Sequence, residues 1–351
     1  MRDDFSLDTI QRLAKRVGYL CSFPGCGSLT IGASQESERA TSLVGTACHI
    51  SAASAGNGAR RYNPKSTPEE RKSIINGIWM CDKHGKLIDT DQHRFSTELL
   101  NTWKSLAEEV ATTMMEKGYD YPTALKLMQG KAPAINQLSI SQIGAENSQI
   151  GNLIFDSCIA IVWSKQIADA IRDYAIEHFR NSFIHGKATD FEILIHDNKI
   201  IITDNGSEFN PNDLLNNQPL TGGTISIQNL LTQFSDKIVF SSRRVGDKNQ
   251  VVISILKETN DIFTVTPCSV QLTFEDFHRG NSAITIAESC NEYYVVLPPY
   301  FALSDVMLMP KRCPQFDKKG VSLIFIVENT SGGVTEVLSR NYPNSRIIAI
   351  E

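Results

Sequence analysis

The chain has 351 residues, of which 41% are hydrophobic and 21% are charged, and its formal net charge is -5. This length predicts two or three domains, and because neither a run of about 18 apolar residues nor a signal-peptide-like core occurs, we expect a cytoplasmic protein without a membrane segment. The negative net charge excludes a protein that coats nucleic acid over its whole surface, because phosphate binding depends on concentrated lysine and arginine.

Two pairs of zinc-type ligands dominate the first ninety residues, after a predicted amphipathic helix at 8–17. Cys21 and Cys26 form a Cys-x4-Cys pair, and Cys81 and His84 form a Cys-x2-His pair. A tetrahedral zinc ion takes four nitrogen or sulfur ligands, and such pairs let two short turns converge on one ion. The spacing therefore predicts a structural zinc site.

Three residues near these pairs carry side chains suited to phosphodiester hydrolysis. His49 lies between the pairs, Asn76 just before the second pair, and Asp89 after it. Hydrolysis needs a base that deprotonates water, a divalent ion, and a group that orients the base, and these three residue types suit those tasks. A basic stretch between the pairs indicates either a phosphate-binding loop or a solvated loop face. Its members are Arg60, Arg61, Lys65, Arg71 and Lys72.

The rest of the chain predicts an α+β multidomain protein. A helix capped at Ser96 or Thr97 and stopped by Gly118 closes a first domain at 1–118. A connector follows at 119–159, for which weak helical periodicity predicts one or two strands. An α/β sandwich is predicted at 160–258, and an α/β region of unknown role at 259–351. The sandwich comprises a helix at 163–183, a hairpin at 191–206 with an Asp197-Asn198 turn, a helix at 224–234 and a hairpin at 237–256.

The last region alternates predicted strands with at least one helix, near 333–340. Its predicted strands lie at 263–267, 293–299, 321–327 and 346–350. Four cysteines outside the zinc-type pairs have no paired spacing, and we expect them to be free thiols packed as small hydrophobic residues. They are Cys158, Cys268, Cys290 and Cys313.

Residues 18–110 resemble the HNH endonuclease family, and in particular a branch found in bacterial defence and mobile-element proteins. The resemblance is carried by CSFPGC, GTACHISAAS, RRYNPKSTPEER, NGIWMCDKHGKLIDTD and LLNTWK. It implies a ββα-metal finger in which His49 is the general base, Asn76 orients it, and Asp89 binds a catalytic Mg²⁺ or Mn²⁺ ion. The two pairs would hold structural Zn²⁺, or His84 would bind the catalytic ion instead. Asp91 and His93 are further candidate ligands.

A second group of residues suggests a nucleotide site. Glu177 and Asn181 are four residues apart, so both project from one face of a helix. Asp204 ends a strand and is followed by Gly206, an arrangement in which a carboxylate could accept a hydrogen bond from an exocyclic amine. Gly222 and Gly223 precede a helix, where backbone N–H groups can face phosphate. These residues are Glu177, Asn181, Asp204, Gly206, Gly222 and Gly223.

In order and spacing these stretches resemble the GHKL ATPase family over residues 160–257. The resemblance implies that Glu177 activates water, Asn181 holds the Mg²⁺ of ATP, and Asp204 reads adenine. Gly206, Gly222 and Gly223 would line the nucleotide pocket.

Together the resemblances imply a metal-dependent endonuclease controlled by ATP, in defence against phage or plasmids. DNA is a more expected substrate than RNA, a homodimer is expected, and a partner defence protein could dock on 259–351. The alternative is an ATP-dependent regulator whose finger only binds zinc or nucleic acid.

Overall fold

The computed structural model of the chain describes residues 2–56, 58–216, 222–279, 290, 292–317 and 322–350. The chain divides into two compact units. The N-terminal unit comprises Met1–Leu138, Asn147–Arg172 and Ile195–Asp197, and the C-terminal unit comprises Ser139–Glu146, Asp173–Leu194 and Asn198–Glu351. Helices and several sheets are present, in agreement with the predicted α+β class. Among the described residues, no helix combines the length and the apolar character needed to cross a membrane.

The first part of the N-terminal unit is a small set of short strands and helices. In chain order these are α1 (Leu7–Arg16), β1 (Ile31–Ala33), β2 (Thr41–Leu43), β3 (Gly45–His49), α2 (Pro68–Lys72), a 3-10 turn (Ile74–Asn76), β4 (Gly77–Cys81), α3 (Asp82–Ile88) and α4 (Thr97–Lys117). The predicted first helix is confirmed, and its buried Leu13, together with Val17 just after the helix, packs with Trp79 of β4. The predicted long helix is also confirmed, because the Ser96 side chain accepts a hydrogen bond from Leu99 N and Gly118 ends the helix with φ +68°.

Strands β3 and β4 pair in antiparallel register, with His49 opposite Gly77 and Gly45 opposite Cys81. Helix α3 follows β4 without a linker. Gly45 allows close packing here, since a Cβ atom at this position would lie 2.4 Å from the Trp79 ring. The two strands and the helix thus bring the end of β3, the end of β4 and the first turn of α3 into one local structure.

The connector differs from the prediction, because it is mainly helical. It contains α5 (Tyr121–Lys126), β5 (Asn136–Ile140), α6 (Glu146–Asp156) and α7 (Ile159–Val162). Helix α5 begins where the Asp120 side chain accepts from Thr123 N and where Pro122 occupies the first turn, a position that tolerates proline. Helix α6 buries Ile150, Leu153 and Ile154. The predicted strand is present as β5, whereas the three helices were not predicted. Helix α6 forms because its buried apolar residues outweigh the polar composition of the stretch.

The next elements confirm the predicted alternation of helices and hairpins. They are α8 (Lys165–Ile184), β6 (Phe191–His196), β7 (Lys199–Asp204), a 3-10 turn (Pro211–Asn216), α9 (Gly222–Gln233), β8 (Val239–Val245) and β9 (Lys248–Ser254). The strand order of their sheet is β5-β6-β7-β9-β8, and β9 runs antiparallel to both its neighbours. Asp197 and Asn198 have φ values of +46° and +59°, as a two-residue hairpin turn with two left-handed residues requires.

The last region is a parallel sheet with helices. Its elements are a 3-10 turn (Thr259–Asp261), α10 (Ile262–Val265), β10 (Ser269–Gln271), α11 (Phe274–Arg279), β11 (Glu292–Val296), α12 (Leu303–Arg312), a 3-10 turn (Pro314–Asp317), β12 (Ser322–Glu328), α13 (Gly332–Asn341) and β13 (Arg346–Ile350). Strands β10 to β13 are parallel and adjacent in chain order. The predicted helix and the last three strands are confirmed, apart from residue 321, which lies outside the described part.

Both faces of this sheet are buried, which explains its continuous apolar runs. Val295 and Phe325 pack with Val306 of α12 and Leu338 of α13, whereas alternate residues such as Ile324 pack toward β8 and β9. The predicted strand at 263–267 was wrong, because that stretch forms the helical turn α10. A short apolar run cannot be assigned from its pattern alone, and here it buries residues at helical spacing.

Two of the four cysteines outside the zinc-type pairs form a disulfide, contrary to the expectation of free thiols. Cys268 and Cys290 are bonded, whereas Cys158 and Cys313 are buried outside any disulfide, as predicted. Cys268 directly precedes β10, and Cys290 lies two residues before β11. Adjacent parallel strands bring their starting points together, so residues 22 apart in sequence become neighbours. The spacing alone could not reveal this pairing.

Candidate metal centre and catalytic cleft

The two predicted ligand pairs meet in the N-terminal unit. The Sγ atoms of Cys21, Cys26 and Cys81 and a ring nitrogen of His84 all lie within 4.8 Å of one another. His84 Nδ1 is 3.5 Å from Cys21 Sγ and 3.3 Å from Cys81 Sγ. Cys81 ends β4 and His84 lies in α3, so the direct connection between these two elements sets the second pair.

The cluster fits a zinc ion. Three thiols and one imidazole form a donor set typical of structural zinc. The ring of Phe23 stacks on the His84 ring at 3.9 Å, which fixes the ring with Nδ1 toward the sulfur atoms. Of the two roles left open for His84, this geometry favours the four-residue cluster. These residues could therefore hold a metal ion, and the donor set suits zinc.

A cleft of about 550 Å³ lies beside β3 and α3, and it brings together two of the predicted catalytic residues. His49 is the last residue of β3, and Asp89 is the C-cap of α3. Both line the cleft. Four cations also line it, together with a second carboxylate. The cations are Arg2, Arg60, Arg61 and Lys86, and the carboxylate is that of Asp82.

The ring of His49 is held by groups that the sequence did not suggest. Its Nε2 atom is 3.2 Å from the carbonyl oxygen of Asp3, and the Phe5 ring stacks on it at 3.8 Å. A carbonyl oxygen only accepts, so in the neutral ring this contact assigns the proton to Nε2 and leaves the lone pair on Nδ1. Burial lowers the pKa of His49 from its usual value of 6.5. The ring is therefore neutral at pH 7, as a general base requires.

Asn76 holds the backbone that follows His49 rather than the ring itself. Its Oδ1 accepts from Ser51 N at 2.8 Å, and its Nδ2 donates to Ser51 O at 2.9 Å and to Arg71 O at 3.0 Å. The backbone of Asn76 also accepts a hydrogen bond from Ile50 N. The predicted orienting residue thus acts on the chain one and two residues after the base.

Arg61 is the main site residue whose position the sequence did not reveal. Its side chain is only 4% exposed. Its Nε donates to Ile50 O at 2.7 Å, one terminal nitrogen donates to Ile88 O at 2.7 Å, and the other lies 3.1 Å from Asp89 Oδ1. A cation at the end of α3 also interacts favourably with the helix dipole. Arg61 therefore joins the segment after His49 to the end of the helix that carries Asp89.

The predicted basic stretch separates into two kinds of residue. Arg61 and Arg71 are bonded within the protein, the latter to Asp3 through Nε at 2.8 Å, and Lys72 lies 3.4 Å from the same carboxylate. Arg60 lines the cleft, and its Nε donates to the backbone oxygen of Asp89. Arg61 also lines the cleft, but its side chain is nearly buried, so of these two adjacent arginines we expect Arg60 to meet a ligand there.

The cleft offers few ligands for a catalytic ion. Asp89 Oδ1 is paired with Arg61, and the two further candidates, Asp91 and His93, are not part of the cleft wall. At Gly85, a Cβ atom would lie 2.7 Å from Thr46 Cγ2 and 2.9 Å from Cys48 Sγ, so Gly85 packs against a methyl group and a thiol. In the described part of the chain, the zinc-type cluster is the single group of three or more metal-binding side chains.

Magnesium is nevertheless often held by one or two carboxylates together with substrate phosphates and water. Asp89 fits such a site only if the substrate completes it. Its side chain is 61% exposed, so Oδ2 is accessible from the cleft.

In the C-terminal unit, four of the predicted nucleotide-site residues come together. A Cβ atom at Gly222 would lie 2.8 Å from Glu177 Oε2, and one at Gly223 would lie 2.7 Å from Asn181 Nδ2. The start of α9 therefore packs directly on the face of α8 that carries both polar residues. Glu177 Oε1 also accepts a hydrogen bond from Arg180 at 3.0 Å. The absence of a side chain at both glycines is what permits this approach.

The carboxylate of Asp204 is buried and already bonded. Its Oδ1 accepts from Asn249 Nδ2 at 2.9 Å and from Gly206 N at 2.8 Å. His178 Nε2 is 3.3 Å from Oδ2, within ion-pair distance but outside hydrogen-bond geometry. Burial by itself would raise the pKa of Asp204, but His178, Asn249 and the Gly206 amide outweigh it and lower that pKa. His178 and Asn249 were not predicted from the sequence. The Asp204 side chain has no solvent exposure, so a ligand can contact it only after the surrounding groups move.

No protein-family model and no curated protein matches this chain. The resemblances to the HNH and GHKL families therefore rest on the quoted residues alone.

Proposed function

We propose that this protein is a metal-dependent endonuclease that hydrolyses phosphodiester bonds in nucleic acid, DNA in preference to RNA, under the control of ATP. The observation that carries the proposal is that His49 and Asp89 line one open cleft with the cations Arg2, Arg60 and Lys86. A base, a carboxylate and positive charge around one cavity are the components that phosphodiester hydrolysis requires.

In this mechanism His49 removes a proton from the attacking water through Nδ1, because its Nε2 faces the carbonyl of Asp3. Arg60 and Lys86 attract the phosphate and orient it along the cleft. Asp89 and the substrate phosphate would hold a Mg²⁺ or Mn²⁺ ion, which supplies stabilisation of the negative charge that develops during hydrolysis. Zinc at Cys81 and His84 would have a structural role, fixing the junction between β4 and α3.

The regulatory part of the proposal concerns the C-terminal unit. Glu177 would activate water, Asn181 would hold the Mg²⁺ of ATP, and the amides at Gly222 and Gly223 would face phosphate. The proposal is supported by the close approach of both glycines to Glu177 and Asn181. Nucleotide would have to separate these groups in order to enter, so its binding would change the conformation of this region. We further propose that the ATP-bound protein is a homodimer with a role in defence.

The nuclease proposal is tested with supercoiled plasmid, single-stranded DNA and RNA, each with Mg²⁺, Mn²⁺ or neither ion. Wild type should cleave only with an ion, and His49→Ala should reduce the rate by about 10² to 10⁴, the usual contribution of a general base. His93→Ala is the matched control, because His93 is an exposed histidine of the same unit outside the cleft wall. Equal rates for His49→Ala and His93→Ala would contradict the assignment of the base.

The role of ATP is tested separately. Glu177→Ala should abolish ATP hydrolysis, while Asp236→Ala, an exposed carboxylate of the same unit, should not affect it. Light scattering with and without ATP then reports the oligomeric state, and the plasmid assay reports control of cleavage. If ATP changes neither quantity, the regulatory proposal is wrong whether or not the protein cleaves.

A second candidate function is a finger that binds nucleic acid without cleaving it. The observation that favours it is the ion pair between Arg61 and Asp89, together with the thiol of Cys48 packed against Gly85 where a metal ligand could lie. Retention of nucleic acid by wild type with no cleavage under any ion condition would support this alternative.

A further inference from the structure

A second cleft borders the segment that follows the proposed base. Its volume is about 750 Å³, within the range of about 300 to 1,000 Å³ typical of small-molecule sites. Ile50 and Ser51 form part of its wall, and Arg61 contributes to this cleft and to the catalytic cleft. A ligand group in the second cleft would therefore lie beside the residues that follow His49.

The polar groups of this second cleft are mainly neutral. The Asn101 amide makes no hydrogen bond within the described part of the chain, and Gln92 uses its Oε1 to accept from Arg61 N, which leaves its Nε2 as a donor. Asn63 uses its Oδ1 for a local turn to Lys65 N. The ring of Tyr62 provides an aromatic surface, and the guanidinium carbon of Arg71 lies 6.0 Å from the centroid of that ring.

The charges in the second cleft also differ from those of the catalytic cleft. Its two arginines, Arg61 and Arg71, are bonded to protein groups, and the carboxylate of Glu70 accepts from Thr67 N. Glu98 adds an exposed carboxylate. Asn101 follows it by three residues, so the two side chains lie on the same side of α4. Free amides and a carboxylate, without a free cation, suit a neutral ligand with hydrogen-bond donors. They do not suit a phosphate.

We propose that the second cleft binds an unpaired nucleobase adjacent to the scissile phosphate, and that it selects bases that carry an exocyclic amino group. This inference rests on the proposed nuclease function. Glu98 would accept a hydrogen bond from the amino group, as carboxylates do from cytosine, and the amides of Gln92 and Asn101 would complete the contact. The Tyr62 ring would stack on the base, a contact that is common in proteins that bind single strands.

The base must be unpaired, because pairing occupies the edge that Glu98 and the amides would contact. The phosphate belongs in the catalytic cleft, where Arg2, Arg60 and Lys86 are located, and the base belongs in the neutral cleft. Adenine, cytosine and guanine carry an exocyclic amino group, whereas thymine and uracil do not. The proposed substrate is thus a single-stranded or locally opened nucleic acid with an amino base at the cleavage position.

The test uses short labelled homopolymers of dC, dA and dT, with C and U ribo-oligomers as the RNA arm, and a fully paired duplex. Wild type should bind oligo-dC and oligo-dA about tenfold more tightly than oligo-dT by fluorescence anisotropy, since one good base contact gives discrimination of that order. The duplex should show no such preference. The comparison of oligo-C with oligo-dC shows whether the source of the base is RNA or DNA.

Glu98→Gln and Asn101→Ala should reduce this preference to within about twofold, because each removes one base contact. The matched control is Glu116→Gln, an exposed carboxylate later on the same helix. Glu98 and Asn101 are exposed, so neither substitution opens a cavity, and zinc content measured on each variant verifies that the finger is folded.

Equal affinity of wild type for oligo-dC and oligo-dT, or an unchanged preference in both variants, would overturn the base-binding proposal. If the base preference is present but no substrate is cleaved, the nuclease proposal fails while the second cleft stands. If cleavage occurs with equal rates on all homopolymers, the second cleft fails while the nuclease proposal stands.

Discussion

The two predicted sites differ in how available their carboxylates are. Asp89 in the N-terminal unit has a side chain that is 61% exposed, and its partner Arg61 leaves one oxygen free. Asp204 in the C-terminal unit has a side chain with no exposure, and three protein groups surround it. Both were predicted by the same kind of motif reasoning. Asp89 is open to solvent, whereas Asp204 is enclosed, with Oδ1 hydrogen-bonded by the protein and Oδ2 facing His178 without a hydrogen bond.

This difference has an energetic consequence. A ligand in the cleft lined by His49 and Asp89 can reach Asp89 and Lys86, which already face solvent. A ligand that reaches Asp204 must first move the groups that bury it, and contact with Oδ1 would also replace a hydrogen bond from Asn249 or Gly206, worth about 1 kcal/mol net. We therefore expect nucleic acid to bind without rearrangement, and ATP to bind with a change in structure around Asp204.

The largest effect is expected from a substitution in the zinc-type cluster, because its ligand His84 lies on α3, the helix that ends at Asp89. Cys81→Ser removes one of four ligands, and because zinc binding free energy is also folding free energy, the N-terminal unit should lose both metal and cleavage. Metal content measured by mass spectrometry on purified protein checks this. Cys158→Ala is the control, since Cys158 is a buried free cysteine of the same unit outside the cluster. Full zinc occupancy in Cys81→Ser would show that the cluster is not the metal site.

The next largest effect is a difference in the free energy of unfolding between variants of the adjacent residues Arg60 and Arg61. Arg61→Met should lower the free energy of unfolding by about 3 kcal/mol, because it leaves the carbonyls of Ile50 and Ile88 without their buried cation. Arg61→Lys should not restore it, since lysine lacks the planar fork that reaches both carbonyls. Urea denaturation followed by tryptophan fluorescence reports this unit specifically, because all three tryptophans lie in it.

Arg60→Met is the matched control for that measurement. Its side chain lines the cleft, so the substitution should change stability by less than about 0.5 kcal/mol while weakening nucleic-acid binding. If Arg60→Met destabilises the unit as strongly as Arg61→Met, the distinction between a structural and a ligand-facing arginine is incorrect.

Much of the fold could be predicted from the sequence, because helix caps and turns depend on residues close together in the chain. The Ser96 cap, the left-handed Gly118 and the Asp197-Asn198 turn each act within a few residues, and each appears where it was predicted. The errors arose where tertiary packing decides. Helix α6 forms from a polar stretch because three of its residues are buried, and α10 forms where the pattern suggested a strand.

The ligand residues of the candidate site could be predicted from the sequence. The residues that hold those side chains in place could not. Paired spacing is sufficient to predict the zinc-type cluster, because it is a property of two short turns. The stacking of Phe5 on His49 and the pairing of Arg71 with Asp3 join residues 44 and 68 apart, which no spacing rule connects. Arg61 looked like a phosphate contact for the same reason, since burial of a charged side chain cannot be seen in a sequence.

A smaller effect is expected for Asp204, the buried carboxylate of the C-terminal unit, and it concerns how stability depends on pH. The pKa of Asp204 is lowered below its usual value of 3.8, so its contribution to stability is present above pH 3.8 and is lost as pH falls through the folded-state pKa. Asp204→Asn should lower the stability of the C-terminal unit by about 1 to 2 kcal/mol at pH 7 and remove this part of the acid sensitivity. Hydrogen exchange at β7 and β9 between pH 7 and 3 measures it. An identical acid dependence in both proteins would mean that Asp204 is not held as described.

The smallest effect concerns the pH dependence of cleavage, and it tests the role of His49 directly. Burial lowers the pKa of His49 from 6.5, and a general base acts only in its neutral form. Cleavage should therefore remain constant from pH 8 to 6.5 and fall about tenfold per unit only below the lowered pKa. Phe5→Ala uncovers the ring, so the inflection should move up toward 6.5, while His93→Ala should leave it unchanged. An inflection at or above 6.5 in wild type would mean that the ring of His49 is not the group that accepts the proton.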